Sequence, residues 1–118
     1  MHFQIYLTGR AQQVFGLKAK DITHDSKVSL SENWIELWRC DHLVTDQEGA
    51  HACIFTNSVT YFSLLVTVAD SNVGDLLRNF IRQLFFRLQT EGVDVPPNIQ
   101  CPASLLRGNP RTLIGVMN

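Results

Sequence analysis

Between positions 73 and 90 the apolar residues Val73, Leu76, Leu77, Phe80, Ile81, Leu84, Phe85 and Leu88 recur at three- and four-residue steps. That spacing lines one face of an α-helix, so VGDLLRNFIRQLFFRLQT is predicted to be one long amphipathic helix needing a partner. Asn72 or Ser71 can cap its first amides, Asp75 suits its first turn, and Gly92 is a natural left-handed stop. Ahead of this helix the period is two. Phe3, Ile5 and Leu7 alternate with Gln4 and Tyr6, which predicts a first strand with one buried face. Thr8 can then cap a short helix from Arg10 to Phe15, with Ala11, Val14 and Phe15 inward and Gly16 as its stop.

Residues 18–30 are polar and aperiodic, the pattern of a surface loop. Ser31, Glu32, Trp34, Ile35, Leu37 and Trp38 fit either a capped helical turn with both tryptophans on one side or the start of a strand. Three β-prone runs follow at 38–44, 51–56 and 60–68, separated by short polar connections, as in an antiparallel meander. In the third run Phe62, Leu64, Val66 and Val68 share the face that the 73–90 helix should cover. Past Gly92 all four prolines of the chain occur, which excludes a long regular element there. A helical turn at 103–106 and a last strand at 111–117 fit what remains. The pattern predicts a single α+β domain over 1–118, an antiparallel sheet of four or five strands packed on one long amphipathic helix with short helices at its margins.

Length and composition add limits rather than identity. A chain of 118 residues with 45% hydrophobic content suits one core. A formal net charge of −1 gives no overall attraction to nucleic acid or to an anionic membrane, which leaves a protein partner as the expectation. The start MHFQIYLTGR lacks the basic and apolar regions of a secretory signal, and this predicts a cytoplasmic protein. Cys40, Cys53 and Cys101 are odd in number and widely spaced, so reduced thiols are expected.

Three segments, LTGRAQQVFGL at the start, FTNSVTYFSLL in the middle and NPRTLIGVMN at the end, occur in an order that carries a resemblance. The chain resembles a bacterial and phage family known only as a domain of unknown function, in which an F-T-N-x-x-T-x-F-S hairpin and a late R-[ST]-x-x-G-x-M-N segment recur. Members of that family continue past the M-N segment, where this chain stops at Asn118. The resemblance implies a compact α+β domain, frequent on mobile elements, and carries no activity with it.

Residues two apart on a strand point to one face, so Cys40 and His42 can meet His51 and Cys53 across a hairpin that pairs Cys40 with Cys53 and His42 with His51. This is a zinc-like ligand set on a flat ladder, poorly shaped for a tetrahedron, and the simpler expectation is two core thiols with histidines at a hairpin and no bound metal or cofactor. No nucleophile elbow, metal-nuclease carboxylate spacing or phosphate-binding loop occurs. On a helical wheel Arg78, Arg82 and Phe86 fall with Asp75 and Asn79, opposite the apolar arc, which is the composition of an interface anchor. Arg107 and Arg111 form a second basic spot suited to a carboxylate or phosphate. The expected function is a non-enzymatic protein-binding or regulatory module that occupies a partner, or a homodimer through the helix face with Arg82 near Asp75 of the other copy. The alternative is a small enzyme or metal-dependent nucleic-acid-binding protein built on Cys40, His42, His51 and Cys53, or on Arg107 and Arg111.

Overall fold

A computed structural model describes residues 2–23, 31–43, 50–93 and 102–107. Strand β1 (Phe3–Leu7) leads into helix α1 (Gly9–Val14), and β2 (Leu37–Leu43), β3 (His51–Asn57) and β4 (Ser63–Val68) follow. Helix α2 (Val73–Thr90) then crosses to β5 (Ala103–Arg107). The five strands form one sheet in the order β4-β3-β2-β1-β5. Among the described residues no helix is long and apolar enough to cross a membrane.

The α+β class and the long helix agree with the sequence pattern, but the sheet is mixed rather than antiparallel. Strands β2, β3 and β4 make the expected antiparallel meander, whereas β1 runs parallel to both β2 and β5. Parallel neighbours need a crossover connection, and residues 8–36 and helix α2 supply the two long excursions. Position in the sheet also corrects the expectation of a one-faced β1. All five of its residues are buried, because a strand with parallel neighbours on both sides is covered on both faces. The helical turn expected at 103–106 is instead β5, which pairs Ile5 with Leu105 and Tyr6 with Leu106. Tertiary pairing along the edge of β1 outweighs the weak local preference of ASLLR.

Local signals place the helices well. Thr8 Oγ1 accepts from the Ala11 amide and Gly16 closes α1 at φ +62°. Asn72 Oδ1 accepts from the Asp75 amide, and Gly92 ends α2 at φ +84°. Leu76, Phe80 and Leu84 are buried on α2, against Leu64, Val66 and Val68 of β4 and the inner faces of β1–β3. The Phe80 ring stacks on Phe55 at 4.2 Å between centroids and meets Phe3 and Trp38 edge-on at 5.7 and 5.0 Å. Asn79 is less free than the wheel suggests, since its Nδ2 donates to the Thr67 carbonyl of β4. The segment 31–38 divides: Trp34–Glu36 is a single 3₁₀ turn capped by Asn33 rather than Ser31, while Trp38 belongs to β2 and is buried. The first part of the 18–30 loop holds a second such turn, Ala19–Asp21, and residues 24–30 lie outside the described residues. The strand expected at 111–117 lies outside them as well.

The β3–β4 connection is built on one buried side chain. Asn57 Oδ1 accepts from the amides of Val59 and Thr60 and from Thr60 Oγ1, and its Nδ2 donates to the Trp34 carbonyl. Thr60 Oγ1 in turn accepts from the Phe62 amide, and Tyr61 takes φ +62° at the tip. FTNSVTYFS thus specifies a tight side-chain-bonded turn. Phe80→Ala should lower unfolding free energy by about 3–5 kcal/mol, the range for a truncated core phenylalanine. Asn57→Ala should cost on the order of 2–4 kcal/mol, because one buried side chain makes several part-buried bonds that are lost together. Chemical denaturation of both variants checks this, and a wild-type-like Asn57→Ala would show that the turn does not hold the hairpin.

Candidate functional site

Two regions carry the residues singled out by sequence. The first is the Cys/His ladder on the inner face of β2 and β3. Strand register pairs Cys40 with Phe55 and His42 with Cys53, which corrects the expected Cys40–Cys53 and His42–His51 pairing by two residues. A two-residue slip keeps every side chain on its own face, so alternation alone cannot separate the two registers. The Asn57 bond to Trp34 and the Ser58 amide bond to the Leu37 carbonyl set the one observed. All four side chains still share a face, but they are staggered diagonally. Among the described residues no group of three or more His, Cys, Asp or Glu side chains is arranged to hold a metal ion.

Cys40 and Cys53 are fully buried and reduced. A hydrogen bond with Cys53, followed by burial, pushes the Cys40 thiol far above its ordinary range, so it stays protonated and is not a nucleophile. His42 Nε2 and His51 Nδ1 lie 3.2 Å apart, and the Phe15 ring of the α1 end packs against both imidazoles. His42 Nδ1 is buried without a hydrogen-bond partner. Burial first, then the charges of His51 and Arg10, hold His42 below the ordinary imidazole range, with Asp41 opposing. These contacts describe a packed end of the core, with His42 kept neutral.

The second region is the outer side of α2. Phe86 is 71% exposed, as its place on the wheel predicts. Arg82 and Arg87 flank it around a shallow groove lined also by Leu64, Gln83, Thr90 and Glu91. Arg78 is one turn away and pairs with Asp75 at 3.3 Å. Two contributors escaped the sequence reading. The Arg87 guanidinium lies 5.6 Å from the Phe62 ring centroid and reaches Glu91 at 3.8 Å. Beyond it, Trp34, Ile35, Trp38, Phe62, Leu84 and Leu88 line an apolar cleft of about 330 Å³. The Arg87–Glu91 spacing of four was a legible signal, but the approach of Trp34 and Phe62 depends on the fold. Arg107 is exposed at the end of β5, on the far edge of the sheet from this region, and Arg111 lies outside the described residues. Arg107 is therefore not part of the α2 surface.

Comparison with protein-family models, with curated proteins and with solved structures finds no match for this chain.

The depressed His42 fixes a sign for acid stability. The unfolded chain titrates its histidine near pH 6.5, and the folded chain does so at lower pH. Between those values the unfolded state binds more protons, so stability falls as pH drops below about 6.5. Denaturation at neutral and mildly acidic pH should show a steeper acid loss for wild type than for His42→Gln, and parallel losses would remove His42 as the cause. The thiols give a second check. In a Cys101→Ser background, Cys40 and Cys53 should resist a thiol reagent in the folded protein and both react after denaturation; rapid labelling of either one would show that the β2–β3 face is open.

Proposed function

We propose that this chain is a non-enzymatic protein-binding module that acts by occupying a partner through the outer side of α2. The observation that carries this reading is the large exposed area of Phe86 beside the apolar cleft, with Arg82 and Arg87 around it. Burying such a phenylalanine stabilises a complex by about 1.5–3 kcal/mol. Aromatic and Arg residues together are the composition of interface centres. The surface suits a partner that presents an apolar side chain bordered by carboxylates, since Arg78 and Arg87 already hold one carboxylate each and Arg82 has no ion pair among the described residues. Neither described thiol is accessible as a nucleophile, because Cys40 and Cys53 are both buried in the core. A role on a mobile element, as the family resemblance implies, is consistent with a small protein that works by occupancy.

Phe86→Asp tests the reading. Circular dichroism should show an unchanged fold, while capture of the partner that wild type recovers from its source cell should weaken roughly tenfold or more. Unchanged capture would remove the α2 surface as the binding site.

A further inference from the structure

The two edges of the sheet are treated differently. In β5 the residues bonded to β1 alternate with residues facing outward: Phe3 donates its amide to the Pro102 carbonyl, which leaves Leu105 facing out. The Thr23 amide occupies that outward Leu105 carbonyl, so backbone of a neighbouring segment already bonds the middle of the β5 edge. Among the described residues no such backbone bond covers the β4 edge. Asn57 donates its amide to the Phe62 carbonyl, which makes 55/64, 53/66 and 51/68 the bonded pairs of the ladder and turns the amides and carbonyls of Ser63, Leu65 and Thr67 outward. Asn79 Nδ2 reaches the Thr67 carbonyl from outside, in agreement with that assignment. Among the described residues the outward amides of Ser63, Leu65 and Thr67 have no hydrogen-bond partner. Folded proteins blunt exposed edges with lysine, proline, a bulge or a covering segment. SLLVTV carries no charge and no proline, and it pairs without a bulge along its length.

We propose that β4 is a pairing edge and that a second copy of this chain docks on it. The two β4 strands run antiparallel about a two-fold axis at Leu65, joining the two sheets into one. This interface rests on the protein-binding role proposed above and names its partner. The strand is its own complement: Leu65 faces Leu65 of the other copy and exchanges both backbone bonds with it, Ser63 faces Thr67, and the Thr67 carbonyl, which already accepts from Asn79, takes the Ser63 amide of the other copy on its second lone pair. An uncharged strand meets no like-charge repulsion in doing so. Side chains agree. Leu65 is 57% exposed on the face away from α2, and the axis packs the two leucines side by side. The flank agrees as well, because α2 runs back along β4, with Asn79 level with Thr67 and Phe86 in the same groove as Leu64. The two-fold therefore brings the Phe86 end of one helix toward the Asn79 and Arg78 end of the other, and covers the aromatic that the free chain leaves in water.

Sedimentation of the full chain over a concentration series tests this. Wild type should be a dimer that dissociates on dilution. Leu65→Pro removes only an outward amide, a tolerated change on an edge strand, and should raise the dissociation constant roughly tenfold or more with an unchanged circular dichroism spectrum. Register is read separately by crosslinking in a Cys101→Ser background. Across a bonded antiparallel pair the Cα atoms are about 5.5 Å apart, within disulfide reach, so Leu65→Cys should form a covalent dimer on oxidation and Ser63→Cys should not. If Leu65→Pro unfolds, this crosslinking pattern decides alone. A wild type that stays monomeric at every concentration, or equal crosslinking at both positions, overturns the proposal. Loss of self-association in Phe86→Asp with none in Leu65→Pro would place the dimer on the helix face and also overturn the edge. Monomeric wild type that still captures another protein through Phe86 would sink the edge and spare the α2 reading.

Discussion

Packing of Phe80 against Phe3, Trp38 and Phe55 ties one helix to three adjacent strands, and the rest of the architecture depends on it. Those partners sit on β1, β2 and β3, so the contact forms only when β1 has been inserted beside β2 in parallel. The meander alone could not supply it. Leu76 and Leu84 extend the same stripe by one turn on each side, and with the ring centred the opposite side of α2 has to face solvent. Exposure of Phe86 thus follows from burying Phe80, since six positions along a helix turn the side chain about 120° around the axis, out of the buried stripe of Leu76, Phe80 and Leu84.

Register is fixed by a different residue. Asn57 is fully buried at the end of β3, where its amide group joins the 3₁₀ turn at Trp34 to the β3–β4 turn. A β-hairpin whose inner face tolerates Cys, His and Phe at alternate sites could slide by two residues with little change in burial. What prevents this is the set of buried amide bonds that only one register satisfies. Tyr61 at φ +62° shows the strain accepted to close the turn, and its side chain stays in solvent where it contributes little packing.

Much of this fold was legible in the chain. Three- and four-residue spacing located α2 with its cap and stop, Thr8 announced α1, and alternation found β2, β3 and β4. The failures share a cause. Parallel pairing of β1, the identity of β5 and burial of Tyr6 all depend on which strands become neighbours, and no local period encodes that. A helical wheel turns Asn79 toward solvent because it shows direction but not reach, whereas its amide extends to the edge of β4. In the candidate site, Phe86 was legible from helical phase. Trp34 and Phe62 were not, since their approach to Arg87 is produced by the turn that Asn57 builds.

The distribution of apolar surface then separates support from recognition. Around β1 and β5 Leu106 and Tyr6 are buried, and the Thr23 amide bonds the outward Leu105 carbonyl of the β5 edge. Among the described residues five of the eight exposed large apolar side chains lie at the other side, Val59, Tyr61, Phe62 and Leu65 along the β3–β4 hairpin and Phe86 on the adjoining helix, with Trp34, Leu43 and Val93 the remainder. Scattered exposed residues of this kind are ordinary on a monomer, but their concentration beside one open strand edge is not. Phe80 sets the orientation of α2, α2 presents Phe86 beyond β4, and β4 exposes the backbone groups next to it. The same packing that stabilises the chain therefore places exposed apolar side chains and, among the described residues, unbonded edge amides on one surface, and the proposed binding role rests on that coincidence.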